Sequence, residues 1–305
     1  MDNKELELLK IIADMEGTPS GAYNIRANGK AFDRKVTENV DIKSKTDKAG
    51  IDIIIKAGTK GEKVHIPVII SESGHEEMVY NDFYIGDGAD VEIVAGCGIH
   101  NCGSGNSRHD GIHTFYVGKN ARVLYTEKHY GDGDGTGGKV MNPATVIHVA
   151  EGGYMEMETT QIKGIDSTIR NSTAVLGDNA TLIIKEKIMT HKDQLAKTNF
   201  VVDMNGNGCS ANLISRSVAK GNSKQVFVSK INGNNKCTGH SECDAIIMDN
   251  AQVSAIPEVT ANHIDASLIH EAAIGKIAGE QLIKLMTLGL TEEQAEEQIV
   301  NGFLK

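Results

Sequence analysis

Two periods divide the chain. Near the start the apolar residues Leu8, Leu9, Ile11, Ile12 and Met15 fall on one helical face. Asp2, with Glu5 three residues on, is a capping box, so a short amphipathic helix is predicted over 2–16, stopped by Gly17-Thr18-Pro19. From about Gly21 the pattern becomes extended. Asp52-Ile53-Ile54-Ile55 and the run Val64-His65-Ile66-Pro67-Val68-Ile69-Ile70 are β-branched stretches between Gly- and Lys-rich turns. Helical spacing returns at 280–288, with Leu282, Ile283, Leu285 and Met286 on one face and Gly289 just past the end. Thr291 to Gln294 is a second capping box, opening a helix that carries Ala295, Ile299, Val300 and Phe303.

Between these ends a motif repeats: IGDGADVEIV (85–94), VGKNARVLYT (117–126), VAEGGYMEME (149–158) and LGDNATLIIK (176–185). A small residue recurs at Ala89, Ala121, Gly153 and Ala180, with a weaker copy at Ala211; the steps are 32, 32, 27 and 31. Self-similarity at this period marks stacked supersecondary units, and a small residue at one turn marks close backbone approach. A β-sandwich is the alternative, but steps near 30 are too long for hairpins. The expected fold is mainly β: a right-handed parallel β-helix (solenoid) core over 21–278, an N-terminal helix within 1–20, and a C-terminal helix–turn–helix over 279–305 that either covers the end of the stack or presents a partner-binding surface.

Charge and composition narrow the function classes. A net charge of −10 lacks the basic face that nucleic acid requires, and absent Trp with 4% aromatics leaves few platforms for sugars. No run approaches the roughly 18 apolar residues of a membrane span, and MDNKELELLK is not a signal segment. Five cysteines, an odd count, read as free thiols in a cytoplasmic protein.

Two clusters carry candidate chemistry. The stretch 95–118 holds Cys97, His100, Cys102, His109 and His113, with His129 one coil later; it is either a metal site or a solvated loop between coils. GDGDGTGG (131–138) has the composition of a calcium loop but not its spacing, and reads as a flexible turn. The second cluster holds Cys237, His240, Glu242 and Cys243, with His270 and Glu271 further on and Cys209 on an earlier coil. Thiolate, imidazole and carboxylate suit iron or zinc, and thiolates are the usual holders of iron–sulfur clusters. Residues about one coil apart stack: Cys209 to Cys237 is 28 residues and Cys243 to His270 is 27. Cys243 and one of His270 or Glu271 are therefore expected on neighbouring coils, facing the same side.

The sequence Cys243-Asp244, then His270-Glu271-Ala272-Ala273, Ile277-Ala-Gly-Glu280-Gln281-Leu282, Gly289-Leu290-Thr-Glu-Glu-Gln-Ala295 and Ile299-Val300-Asn301-Gly302-Phe303 resembles the C-terminal signature of the SufB/SufD iron–sulfur assembly scaffolds. It is closer to SufB, and most like the compact archaeal SufB-like proteins, being shorter than bacterial SufB. The resemblance implies a scaffold rather than an enzyme, holding a nascent, transient cluster (4Fe-4S or 2Fe-2S) for recipient apo-proteins. It implies Cys243 as the essential cysteine, Glu271 as a cluster ligand or helper, and His270 as its neighbour. It also implies a SufC-like ABC ATPase on the C-terminal helices, which supplies ATP hydrolysis because no phosphate-binding loop occurs here. A chain acting without a SufD partner is expected to pair with itself as a homodimer. The rival reading is a metal-dependent zinc or iron enzyme on a β-helix, built on the 97–113 cluster.

Overall fold

The structure is a computed structural model, and it describes residues 1–15 and 17–305. Helix α1 (Asn3–Ala13) is followed by β1 (Ala22–Ala27), β2 (Lys30–Lys35), β3 (Val40–Ser44), β4 (Gly50–Ile55), β5 (Lys60–Ile70), β6 (Glu76–Ile85), β7 (Asp90–His100), β8 (Ser107–Val117), β9 (Arg122–Asp132), β10 (Lys139–Met141) and β11 (Ala144–Val149). Then come β12 (Tyr154–Lys163), β13 (Ser167–Leu176), β14 (Thr181–Thr190), β15 (Leu195–Met204), β16 (Cys209–Ala219), β17 (Lys224–Gly233), β18 (Cys237–Ile247), β19 (Gln252–Ala261), β20 (Ala266–Gly275), α2 (Gly279–Thr287) and α3 (Glu292–Phe303). Both predicted capping boxes form. The first helix ends earlier than its apolar spacing suggests, because Asp14 turns left-handed at φ 52°.

Strands alternate between two sheets, β2-β1-β5-β7-β9-β12-β14-β16-β18-β20 and β19-β17-β15-β13-β10-β8-β6-β4-β3, with β11 pairing β13 and β8. From β5 onward the pairing is parallel, giving a β-solenoid of about eight turns. The first end is closed by antiparallel strands, β2 on β1 and β3 on β4, and the β2 edge is charged and exposed. Such an edge resists pairing with another chain.

The turn motif is the stacking device. Gly88, Asn120, Gly152, Asn179 and Gly208 all have positive φ, and the small residue follows directly at Ala89, Ala121, Gly153 and Ala180. In the next coil that place belongs to Cys209, not Ala211: the Ser210 amide donates to the Ala180 carbonyl as the Thr181 amide donates to Gly153. Cys237 follows in register. The two cysteines thus replace alanine in one column of the core. The 131–138 turn is also a stacking element: the Gly135 amide donates to the Asn101 carbonyl, and a Cβ at Gly135 would lie 2.3 Å from the Gly103 oxygen.

The core fills the bore between the sheets, from Val40 and Ile53 at one end to Phe227 and Ile231 at the other. α1 lies outside, with Leu8, Leu9 and Ile12 packed on the outer face of the first sheet, near Val94. Gly96 and Gly98 let it approach; a Cβ at Gly96 would lie 2.3 Å from the Ile12 carbonyl oxygen. α3 buries Val300 and Leu304 on Val218 at the solenoid's corner. The apolar side chains left to solvent here are Ile283 and Met286 on α2 and Leu288 just past its end, while Leu285, Ile299 and Phe303 are half-buried.

Gly96→Ala is expected to undock α1 and to destabilise the chain by roughly 1–3 kcal/mol. Gly275→Ala, which meets nothing within 4 Å, is expected to stay within about 0.5 kcal/mol of the parent. Thermal unfolding of the two variants checks this; equal melting temperatures would show that α1 is not held by that contact.

Candidate functional site

Period-two alternation decides which side chains of the C-terminal coils meet. In β18 the inward residues are Cys237, Gly239, Ser241 and Cys243, and the outward ones include His240 and Glu242. The ladder pairs Ser241 with His270, Glu242 with Glu271 and Cys243 with Ala272. Cys209, Cys237, Cys243 and His270 therefore face the bore, whereas His240, Glu242 and Glu271 face outward. Of the pair His270 and Glu271, it is His270 that shares a side with Cys243.

Inside, Cys243 is buried next to Ser215, its register partner on β16. Burial, with Glu186 nearby, pushes its thiol up to about 12. Burial likewise pushes Cys209 up to about 11, and raises Cys237. Ser241 and Ser229 hydrogen-bond across the bore at 2.8 Å. His270 Nδ1 is buried and has no partner. Outside, His240 Nδ1 lies 3.1 Å from Asn212 Oδ1, and its Nε2 lies 3.8 Å from Glu271. Arg216 reaches Glu242 at 3.9 Å, and the Glu242 carboxyl is raised by burial and by Asp244.

The earlier cluster is divided in the same way. Cys97, His109 and His113 are inside, and His129 is in register with Cys97. His100 and Cys102 sit at the end of β7 and on the loop beyond; Cys102 is exposed, with its Sγ 3.1 Å from His100 Nε2. Among the described residues, no three His, Cys, Asp or Glu side chains are close enough together, as they lie, to hold a metal ion.

The bore also holds charges that belong to neither predicted cluster. Arg170 donates to Glu127 at 2.6 Å and stands 3.9 Å from Glu186. Burial alone would raise Glu127, but Arg170 and His129 hold it well below the usual carboxylate range. Glu186 is raised by burial, despite Arg170 and the hydroxyls of Thr198 and Ser215 that donate to it at 2.8 and 2.9 Å. His113, wholly buried, is lowered to about 4. The sequence signal for these charges is parity: Glu127, Arg170 and Glu186 occupy inward places of otherwise alternating strands.

The chain matches the family model described as SUF system FeS cluster assembly, SufBD core domain, over residues 69–303. The chain belongs to the SufBD family. It is 30% identical over 265 residues to an iron–sulfur cluster assembly SufBD family protein of Methanocaldococcus jannaschii, covering 86% of this chain and 83% of that relative. It is 31% identical over 249 residues to one of Archaeoglobus fulgidus, covering 80% of this chain and 66% of the relative. A Staphylococcus epidermidis relative is 30% identical over 225 residues, covering 72% of this chain and 47% of the relative. Membership supports a role in iron–sulfur cluster assembly. Among the described residues, no helix is long and apolar enough to cross a membrane.

Accessibility separates the thiols. With Cys102 exposed and Cys97, Cys209, Cys237 and Cys243 buried, a small alkylating reagent is expected to add once per native chain and five times in denaturant. Mass spectrometry reads both numbers; fast labelling of Cys243 in the native protein would show that the bore is open to solvent there.

Proposed function

We propose that this SufBD-family chain is a cytoplasmic scaffold on which a nascent, transient iron–sulfur cluster is built before transfer to recipient apo-proteins. The observation that carries the reading is the shared side of Cys243 and His270 on the adjacent strands β18 and β20: a buried thiol and an imidazole with an unpartnered ring nitrogen, both facing the bore where the stack ends. Iron displaces the thiol proton, and thiolate and imidazole then serve as its ligands. Cys209 and Cys237 stack on each other in the same bore, six residues back along the strands from Cys243 and Ser215. Glu271, with His240 and Glu242, belongs to the rim on the other face of the strand, where a carboxylate is a weak ligand suited to release.

The assembly follows from the edges. β19 and β20 end the two sheets, with Ile256, Val259, Ile269 and Ile274 exposed on them. A two-fold pairing of these edges covers them and brings two copies of the site together. Two chains then provide the four ligands that one chain's spacing does not. Anaerobic reconstitution with iron and sulfide is expected to give a brown absorbing species, about one cluster per two chains. Light scattering is expected to give about twice 32.7 kDa. Cys243→Ala is expected to abolish the species. A brown Cys243→Ala protein would remove Cys243 from the site, and a monomer holding a full cluster would sink the homodimer.

The partner surface is α2. Ile283, Met286 and Leu288 are 62%, 43% and 75% exposed, an apolar face of the kind a partner covers. A SufC-like ABC ATPase is assigned to it, as the family resemblance implies. Replacing the three by Ser is expected to end co-purification with the ATPase while β-rich circular dichroism stays unchanged. An ATPase that still binds this variant refutes the assignment.

A further inference from the structure

The geometry points to a second site in this chain, distant from Cys243: a single divalent transition-metal ion, zinc or iron(II), held in the bore by His109, His113, His129 and Cys97. Its first support is space. A cavity of about 20 Å³, enough for one water-sized body, is bounded by Cys97, His109, Gly111, His113, Glu127 and His129. Gly111 keeps it open, because a Cβ there would lie 3.3 Å from both His109 Nε2 and His113 Nε2.

The second support is the direction of the lone pairs. Tyr125 Oη donates to Glu127 at 3.1 Å and so accepts from His113 Nδ1 at 2.8 Å, leaving His113 Nε2 without its proton. His109 Nδ1 lies 3.1 Å from Glu77 Oε1 and donates to it, which frees His109 Nε2 in the same way. His129 Nε2 lies 3.6 Å from Glu127, and His129 Nδ1 is buried with no partner at all. His113 and His109 thus each give one nitrogen to an oxygen and keep the other unprotonated, while His129 keeps a buried Nδ1 that nothing else uses. A carboxylate behind a histidine is the arrangement that orients metal ligands. Asn81, whose side-chain amide lies 3.3 Å from His113 Nε2, competes for one of these nitrogens.

The donors lie too far apart to ligate as they stand. A zinc–nitrogen bond is about 2.0 Å, so the imidazoles close on the space beside Gly111 when the ion binds. Cys97, in register with His129, completes a nitrogen-rich set with one thiolate, and its proton leaves as the metal binds. His100 and Cys102, on the outside, take no part.

The test isolates this site from the cluster site. Cys102, Cys209, Cys237 and Cys243 are each replaced by Ala, and the full chain is refolded with cobalt(II). One cobalt per chain is expected, with visible bands of a tetrahedral ion and a near-ultraviolet sulfur-to-cobalt band. Cys97→Ala in that background is expected to remove the sulfur band, His129→Gln to weaken binding by at least about 10-fold, and Glu77→Gln by about 10–100-fold. Gly111→Ala is expected to prevent binding with circular dichroism unchanged. A folded background protein that takes up no cobalt, or spectra indifferent to Cys97→Ala and His129→Gln, overturns the site and leaves a cavity for one water. If the background fails to fold, the metal content of wild type against Cys97→Ala and His129→Gln separates the same two outcomes. Loss of cluster formation in Cys243→Ala bears on the other site alone.

Discussion

Register is the constraint that everything else in this chain obeys. Each strand of the stack donates and accepts along a parallel ladder with the coil before and after, so a residue's place in one coil fixes its neighbours in two others. Because side chains alternate, the ladder sorts them into columns that run the length of the bore. One column passes from Ala95 through Glu127, Thr159, Glu186 and Ser215 to Cys243. Its neighbour begins at Val68 and runs through Cys97, His129 and Gln161 to Ile188. Nearer the start of each strand, Val91, Val123, Met155 and Leu182 stack apolar side chains. The bore is therefore amphipathic in cross-section: one half is ordinary core, and the other carries most of the buried polar groups.

That polar half costs stability, and its fully buried charges are paired although His129 Nδ1 and Thr159 Oγ1 are not. A buried carboxylate without a partner is expensive, and removing one member of a buried ion pair typically costs about 3–5 kcal/mol. Arg170 serves two carboxylates, bonding Glu127 directly and standing further from Glu186, which relies on hydroxyl donors instead. The opposite directions of their acidities follow from this unequal sharing. A chain selected for stability alone would fill these inward places with Val or Ile, as it does in the apolar columns.

The solenoid was legible because its signal is local and repeated: a left-handed turn residue, then a small one, then a strand. The C-terminal caps were legible for the same reason. Face was harder. The spacing of 27 or 28 residues between Cys243 and the His270-Glu271 pair is one coil either way, and only the ladder offset separates the inward histidine from the outward glutamate. Likewise, five ligand-type residues within 97–113 looked like one cluster, yet strand parity turns His100 away from Cys97 and the end of β7 leaves Cys102 on an exposed loop. The placement of Cys209 shows the converse. The repeat pointed to Ala211, two residues into the strand, and the true stacking place was hidden because cysteine stood where earlier coils have alanine.

That substitution also bears on how the bore works. Alanine and cysteine differ little in bulk, so the column tolerates a thiol without repacking. What changes is chemistry: Cys209 and Cys237 bring soft sulfur into the apolar half of the bore, whereas Cys243 stands in the polar column. Carboxylates outnumber Arg170 there, and with burial they hold Cys243 protonated. An anion entering this space meets like charge, whereas a metal cation is attracted and can expel the thiol proton. Burial and the neighbouring carboxylate thus keep Cys243 protonated and a poor nucleophile, while Cys209 and Cys237, six residues back along their strands, are raised by burial apart from those charges.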